Sequence, residues 1–199
     1  MTAKFFTIIF TLLLLGTLLA QRGESVRNEE GRAYILDNSK HVDINIVKDE
    51  LKVTNSYFIE KKLLHNQAQA YADTKIHYSQ SWHEIHDIEA MVYTYQREGV
   101  YKKKKVNYDF ETKSSHSNSI FIDDNRFKEI NYPTIKKGDK VSLSYKETIK
   151  DPHFISGHFF SSYLPTDKSK FSISFPDDVQ INYKVFNNTK DVTVRLEKS

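Results

Sequence analysis

The 199-residue sequence predicts an all-β fold, a single antiparallel β-sandwich domain with at most one short helix. Three observations support this prediction: apolar residues alternate with polar ones over short runs, turn sequences recur between the runs, and the composition favours strands. The chain contains 13 Phe and 12 Tyr but 6 Gly and 4 Pro. Alternation with a period of two is the pattern of strands that bury one face and expose the other.

The alternating runs fill most of the chain beyond residue 40. They are Val42–Ile46, Ile88–Val92, Val106–Phe110, Val141–Tyr145, Phe171–Phe175, Val179–Val185 and Val192–Leu196. Turn sequences such as Glu98–Gly99 and Lys137–Asp139 separate them. Residues 59–72 (IEKKLLHNQAQAYA) are predicted to form the one short helix, of one to three turns. Regularly spaced turns between short strands are typical of a sandwich.

The chain divides into three segments. Residues 1–20 combine a basic start with an uncharged apolar run, which predicts a secretory signal peptide; an uncleaved membrane anchor is the alternative. Residues 21–40 are predicted to be a flexible polar lead, and residues 41–199 the β-sandwich. We therefore expect an exported protein, located in the periplasm, at the cell surface or outside the cell, that meets the membrane only through the signal segment if that is uncleaved.

Composition excludes several classes of function. The sequence has no cysteine, which removes thiol nucleophiles, Fe–S clusters and cysteine-based zinc sites. The net charge of +3, with both signs mixed along the chain, does not indicate nucleic acid as a partner. Neither G-x-G-x-x-G nor a P-loop pattern occurs. We expect no catalytic residue, no metal site and no cofactor.

Two surface features are candidates for binding. Trp82, Tyr93, Tyr95 and Tyr101 are aromatic residues with hydroxyl or N–H groups, which can stack on sugar rings or pack at the rim of a core. Lys102–Lys105 is a run of four cations that could contact an anionic polymer or lipid headgroups. In a strand such a run more often marks an exposed edge, because edge lysines oppose pairing with another sheet.

Scattered histidines define an alternative site, made from His83, His86, His153 and His158. His83 and His86 belong to an H-E-x-H sequence, which lacks the spacing that places two histidines on one helical face. In a strand, residues three apart point to opposite faces. A metal-dependent or His-dependent hydrolase assembled from these histidines and scattered aspartates is therefore the alternative function.

The order of features from about residue 78 to 186 resembles a domain of unknown function that precedes transglutaminase-like domains in exported bacterial proteins. The matching stretches are IEAMVYTYQREG, KKKKVNYDFE, FIDDNRFKEINYPTIKKGDKVSLSYKETIKDPHF, FFSSYLP, FSISFP and VFN. Asp124, Arg126, Pro133, Gly138 and Asp139 are the structural markers of this resemblance. It implies a β-sandwich without an agreed activity. The Cys-His-Asp site of transglutaminase-like domains has no counterpart here, because the chain lacks cysteine; a stand-alone domain and loss of a catalytic half both remain open.

We therefore expect an exported, non-catalytic β-sandwich that binds or scaffolds a protein, a peptide or a glycan of the cell envelope. A third hypothesis is a domain whose only role is to support a catalytic partner domain. That hypothesis predicts an exposed apolar patch larger than the surface of a monomer normally carries.

Overall fold

The computed structural model describes residues 32–106, 112–114, 124–187 and 193. The strands are β1 (Ala33–Val47), β2 (Glu50–Leu63), β3 (Thr74–Ser79), β4 (His83–Arg97), β5 (Val100–Lys105), β6 (Thr112–Ser114), β7 (Asn125–Ile130), β8 (Lys140–Ile149) and β9 (Ser169–Ser174). One short α-helix, α1, spans Gln69–Ala72, and a 3-10 turn spans Pro152–Phe154. The predicted all-β domain is thus confirmed.

The strands form two sheets. The larger sheet has six strands in the order β5-β4-β8-β2-β1-β9, and the smaller has the order β3-β7-β6. Neighbouring strands are antiparallel except β1 and β9, which are parallel. The exception arises because the connection between β8 and β9 runs back along β1, from Ser156 beside Lys40 to Pro165 beside Ile35. Strand β9 then starts near the beginning of β1 and runs in the same direction.

The larger sheet has an inner face, on which alternate residues of each strand are buried, and an outer face with the intervening residues. The smaller sheet and α1 cover one part of the inner face. The main core between them consists of Ala33, Ile35, Leu63, Ala68, Ala72, Ile76, Ala90, Val92, Val106, Ile130, Tyr132, Ile135, Val141, Leu143 and Leu164.

A second, smaller core lies on the same inner face, towards the end of the sheet where β1 turns into β2. Its buried members are Val42, Ile44, Val53 and Ile149, with Phe171, Ile173 and Ile181 packed against them. Strand register explains the cluster, because Ile44 lies opposite Val53 and Val53 lies opposite Ile149.

Two sequence assignments are corrected at the start of the domain. The polar lead was predicted to reach residue 40, but β1 begins at Ala33, whose side chain is buried in the main core. A register shift between Ile35 and Asp37 breaks the alternation there, so the first part of β1 does not continue the pattern of Val42 and Ile44. The predicted helix over residues 59–72 shrinks to Gln69–Ala72, because Ile59–Leu63 extends β2 and pairs with β1, and its residues up to Lys62 also pair with β8.

The strand predicted over Val179–Val185 is also wrong. This segment follows a turn in which the Val179 N–H donates to the Pro176 carbonyl at 3.0 Å, and it forms no strand. Only Ile181 packs against the second core. The signal peptide, most of the run Val106–Phe110 and nearly all of the run Val192–Leu196 lie outside the described residues. Within the described part of the chain, no helix has the length and hydropathy to cross a membrane.

Candidate binding surfaces

Three of the four predicted aromatic residues come together on the outer face. Tyr95 lies opposite Tyr101 in the β4–β5 hairpin, and their ring centroids are 5.8 Å apart. The Lys140 ammonium lies 5.1 Å from the ring centre of Tyr93 and 4.7 Å from that of Tyr101. Cations over aromatic faces are held by the ring quadrupole. We call this surface the Tyr–Lys face; its members are Tyr93, Tyr95, Tyr101, Lys103, Lys105 and Lys140.

The four-lysine run forms most of β5, an edge strand of the larger sheet, as its composition predicts. Lys103 and Lys105 lie opposite Tyr93 and Met91 and belong to the Tyr–Lys face, while Lys102 and Lys104 point to the other side. Lys105 pairs with Glu89 at 3.7 Å, and Lys140 pairs with Glu60 at 2.7 Å. Among the described residues, no carboxylate lies within ion-pair distance of Lys103.

Trp82 lies elsewhere, just before the start of β4, and its ring stacks on Phe154 at 4.7 Å. It belongs to a group of exposed apolar residues at the end of the larger sheet where β1 turns into β2. We call this group the apolar end; its members are Ile46, Val47, Leu51, Trp82, Phe154, Ile155 and Phe175, each with 38–46% of its surface exposed. Of these residues, only Trp82 is predicted from the sequence to have a surface role.

The apolar end is the outermost part of the second core. Ile46 lies opposite Leu51, one inward-facing pair beyond the buried pair of Ile44 and Val53. Strand β4 begins and strand β8 ends at this same level, which brings Trp82 and Phe154 to the rim. Within the part of the chain that the structure describes, this end of the second core keeps its apolar side chains exposed. Exposed apolar side chains grouped in this way mark interaction sites.

Between the two cores, the inner face carries a buried polar cluster. Asn55 is fully buried, and its Nδ2 donates to Glu147 Oε2 at 2.8 Å. The Tyr57 hydroxyl donates to the same Glu147 oxygen at 2.8 Å, and the ring of Tyr57 stacks on Tyr145 at 4.6 Å. Lys40, only 2% exposed, places its ammonium 5.3 Å from the centre of the Tyr57 ring.

The segment that connects β8 to β9 closes over this cluster. The Lys40 ammonium donates to the Ser156 carbonyl at 2.6 Å and to the Ser156 hydroxyl at 2.8 Å. Burial lowers the pKa of Lys40, and the charge of Glu147 opposes that shift. Burial, followed by the charge of Glu147, raises the pKa values of Tyr57 and Tyr145. The cluster therefore holds one cation and one carboxylate in a small volume between two apolar cores.

The buried polar cluster is not among the predicted sites, although the sequence contains a signal for it. Lys40 precedes Val42 at an inward position of β1, and Asn55 lies between inward-facing Val53 and Tyr57 on β2. A polar residue at an inward position of an alternating run is the pattern of a buried polar group, which must find partners in the fold.

The two histidines of the H-E-x-H sequence point to opposite faces of β4, as their spacing predicts. His83 lies on the inner face, with Nδ1 3.6 Å from Glu147 Oε1. His86 lies on the outer face, where Nε2 is 2.9 Å from the Thr148 hydroxyl and Nδ1 is 3.4 Å from Asp87.

The contacts of His86 have the order of a nucleophile, a base and a carboxylate. However, Lys146 binds the same Asp87 oxygen at 3.0 Å, and the side chain of Asp87 is mostly exposed. The hydrogen bond from Lys146, with its charge, lowers the pKa of Asp87. Catalytic groups of this kind act in a water-excluded, preorganised site. The exposed sheet surface around His86 does not supply one.

The remaining candidate histidines have local partners. His153 is exposed, and its Nδ1 lies 2.7 Å from Asp151. His158 contacts the Ser169 hydroxyl at 2.9 Å and stacks on Phe171, and burial followed by the charge of Lys40 lowers its pKa. No hydrogen bond or ion pair among the described residues joins His83, His86, His153 and His158 to one another. The described ranges contain no group of three or more His, Cys, Asp or Glu side chains placed to hold a metal ion.

Asp124, one of the family-like markers, organises the turn between β3 and β4. It accepts hydrogen bonds from the Ser79 hydroxyl and from the Ser81 N–H, the latter at 3.0 Å. The Ser79 hydrogen bond is the main cause that lowers the pKa of Asp124, and the charge of Arg126 adds to it. Arg126 also donates to the Asn125 carbonyl at 3.0 Å. Asp124 therefore has a structural role in this turn.

Gly138 and Asp139 tie the turn before β8 to its neighbours. The buried Asp139 carboxylate accepts from the Tyr95 N–H at 2.8 Å and from the Lys136 N–H at 2.9 Å. The Gly138 N–H donates to the Leu63 carbonyl at 2.8 Å. Pro133, the last marker, is exposed in the segment between β7 and β8.

We expect Gly138→Ala to destabilise the protein more than Gly99→Ala. Both glycines have positive φ, +92° and +72°, so either alanine costs about 1–2 kcal/mol in backbone strain. A Cβ at Gly138 would lie 3.1 Å from the Tyr95 ring, whereas a Cβ at Gly99 meets nothing within 4 Å. Urea unfolding of both variants measures the difference, which we expect to be about 1 kcal/mol. Equal losses in the free energy of unfolding would mean that the Tyr95 ring moves away from the new Cβ without an energetic cost.

The two sheets and their cores define a single all-β domain. Its sequence shows the family: residues 48–199 match a domain of unknown function with a solved structure, DUF3857. The chain belongs to this family. No curated protein matches it.

One solved structure shows a similar fold. A crystal structure described as a "putative protease" from Parabacteroides distasonis ATCC 8503 superposes with a TM-score of 0.58 at 16% identity. The match covers 73% of this chain but only 29% of that one. Yeast LTA4 hydrolase in complex with bestatin matches with a TM-score of 0.29 at 12% identity, over 58% of this chain and 14% of that one. The second value is too low to indicate a shared fold.

Proposed function

We propose that this chain is a non-catalytic accessory domain that docks onto another folded domain through the apolar end. The observation that carries the proposal is the row of exposed apolar side chains that continues the second core. Burial of apolar surface is the main driving force of association between folded domains. The third hypothesis from the sequence predicted such a surface.

Two further points support an accessory role. The fold occurs as 29% of the longer Parabacteroides chain, so it is used there as one part of a larger protein. The sequence also resembles the domain that precedes transglutaminase-like domains in exported bacterial proteins. We therefore propose that the docking partner is a domain of that kind, in the periplasm or at the cell surface, where the predicted signal peptide would direct the protein.

The cross-strand pair of Ile46 and Leu51 provides the test. The double variant Ile46→Ser/Leu51→Ser removes apolar surface from the apolar end without touching the buried residues of the second core. Phe58→Ser/Val100→Ser is the control, because Phe58 and Val100 are exposed to a similar degree and lie outside the apolar end. Both variants and the native protein are introduced into source cells, and an antibody to the domain reports size under native and denaturing conditions.

We expect the native protein to migrate as a larger species under native conditions. If the partner is a separate chain, Ile46→Ser/Leu51→Ser should release a monomer and the control should not. If the partner belongs to the same polypeptide, the denaturing blot should show a longer chain, and the variant should increase its protease sensitivity. A monomer of the size of this chain under both conditions, the same for all variants, would contradict the proposal.

A further inference from the structure

We propose that the Tyr–Lys face is a binding site for acidic polysaccharide, with a polyuronate as the ligand class. This surface is separate from the apolar end. Trp82 precedes the first residue of β4, whereas β5 pairs only with Met91–Arg97 in the second half of that strand. At a rise of about 3.3 Å per residue, the two surfaces are about 30 Å apart along β4.

The arrangement of residues supports an extended ligand. On β5, Tyr101, Lys103 and Lys105 occupy alternate positions on one side, over about 13 Å. On β4, Tyr95 lies opposite Tyr101 and Tyr93 lies opposite Lys103. On β8, Lys140 lies opposite Tyr93. Three rings and three ammonium groups thus lie side by side on three adjacent strands. A polymer that repeats a flat sugar face and a carboxylate would meet both kinds of group.

The chemistry of the groups favours a sugar acid over a simple anion. A tyrosine offers a flat apolar ring with a polar hydroxyl, which suits the faces and hydroxyls of a sugar. Tyr95 is the most exposed ring of the set, at 42%. Lys103 has no carboxylate partner among the described residues, and the partner of Lys105 is an exposed carboxylate 3.7 Å away. Both ammonium groups can therefore donate hydrogen bonds to a ligand carboxylate.

Alternate lysines of one strand provide a matched control. Lys103→Gln/Lys105→Gln removes two charges from the Tyr–Lys face, and Lys102→Gln/Lys104→Gln removes two charges from the same strand on the other side. The net charge of the two variants is identical. General attraction of a basic edge for polyanions would be weakened equally by both.

The test measures binding of the full chain to polygalacturonate at low salt, by affinity gel electrophoresis. Dextran, inorganic polyphosphate and phosphatidylglycerol vesicles are the comparison ligands. We expect binding to polygalacturonate and not to dextran. Lys103→Gln/Lys105→Gln should weaken it about tenfold, and Lys102→Gln/Lys104→Gln less than about threefold.

Tyr101→Ala tests the contribution of the rings. It should weaken binding to polygalacturonate and leave any binding to polyphosphate unchanged, because polyphosphate has no sugar face. Circular dichroism and thermal unfolding establish that the variants are folded. Four results would each overturn the proposal: no binding to polygalacturonate, equal effects of the two lysine pairs, tighter binding to vesicles or polyphosphate, and insensitivity to Tyr101→Ala.

Discussion

Replacing Glu147 by leucine is expected to lower the free energy of unfolding by about 3 kcal/mol. Glu147 accepts hydrogen bonds from both Asn55 and Tyr57 in the buried polar cluster. It is also the carboxylate whose charge stabilises the buried ammonium of Lys40. Removing it leaves buried donors without their acceptor and a buried cation without a counter-charge, and both losses carry the full cost of desolvation.

Glu60→Leu is the control for this experiment. Glu60 lies on β2, forms an ion pair with Lys140 at 2.7 Å and is partly exposed. Partly exposed pairs contribute little because solvent screens them, so we expect a loss within about 1 kcal/mol. Urea unfolding of both variants measures the difference. Similar losses for the two would show that the polar cluster contributes no more than a surface ion pair.

A double variant tests whether Lys40 and Glu147 act together. Lys40→Met removes the buried cation and its hydrogen bonds to Ser156 and Gly157. With both charges replaced by apolar side chains, neither is left uncompensated, and such replacements are often tolerated. The double variant should therefore lose less stability than the sum of the single variants. Strict additivity would contradict coupling between them.

Local sequence signals explain what could be predicted of this molecule. The Tyr–Lys face combines a hairpin turn at Glu98–Gly99 with alternation on either side of it, so neighbours in sequence become neighbours in space. The opposite directions of His83 and His86 follow from the strand period alone. The exposed edge at Lys102–Lys105 follows from the number of charges in one strand.

The parts that could not be predicted depend on distant pairing. Strand β8 lies between β4 and β2, and that order places Glu147 beside Asn55, 92 positions earlier in the chain. Alternation identifies the inward residues of each strand but not the strand that lies next to it. The apolar end was missed for the same reason, since Leu51, Trp82 and Phe154 become one group only when the ends of three strands are brought to the same level.

The helix assigned to residues 59–72 shows how tertiary structure overrides local preference. Lysines, leucines and alanines favour a helix in isolation. In the fold, Leu63 extends β2 because its side chain fills the main core, and Lys61 is drawn inside with it. The Lys61 ammonium donates to the Tyr71 carbonyl at 2.9 Å and to the Thr74 hydroxyl at 3.2 Å.

This buried lysine makes the stability of the protein depend on pH. Burial lowers the pKa of Lys61 from 10.5 to about 8, and the charge of Asp73 only partly opposes the shift. Below pH 8 the folded protein carries the buried charge at full cost. Between pH 8 and 10.5 the unfolded chain binds more protons at Lys61 than the folded one, so the contribution of this group to stability rises with pH.

Lys61→Met should remove this dependence. The variant loses two hydrogen bonds at every pH but no longer buries a charge, so its stability relative to the native protein should be highest near pH 7. We expect that relative stability to fall by about 2 kcal/mol between pH 7 and pH 10, because the native protein becomes more stable as Lys61 loses its proton. The difference in the free energy of unfolding between the two proteins cancels the contributions of the other lysines and tyrosines, because these titrate in both.

Lys62→Met is the matched control, since Lys62 is the next residue of β2, points to the opposite face and is partly exposed. The free energy of unfolding, measured with urea at a series of pH values, should differ between the Lys62 variant and the native protein by an amount that does not change with pH. If the difference in the free energy of unfolding is also independent of pH for Lys61→Met, Lys61 keeps its ordinary pKa. Its ammonium group then reaches solvent in the folded protein. If the free-energy difference falls with pH for Lys61→Met alone, the Lys61 charge is buried in the folded protein, beside the Tyr71 carbonyl and the Thr74 hydroxyl.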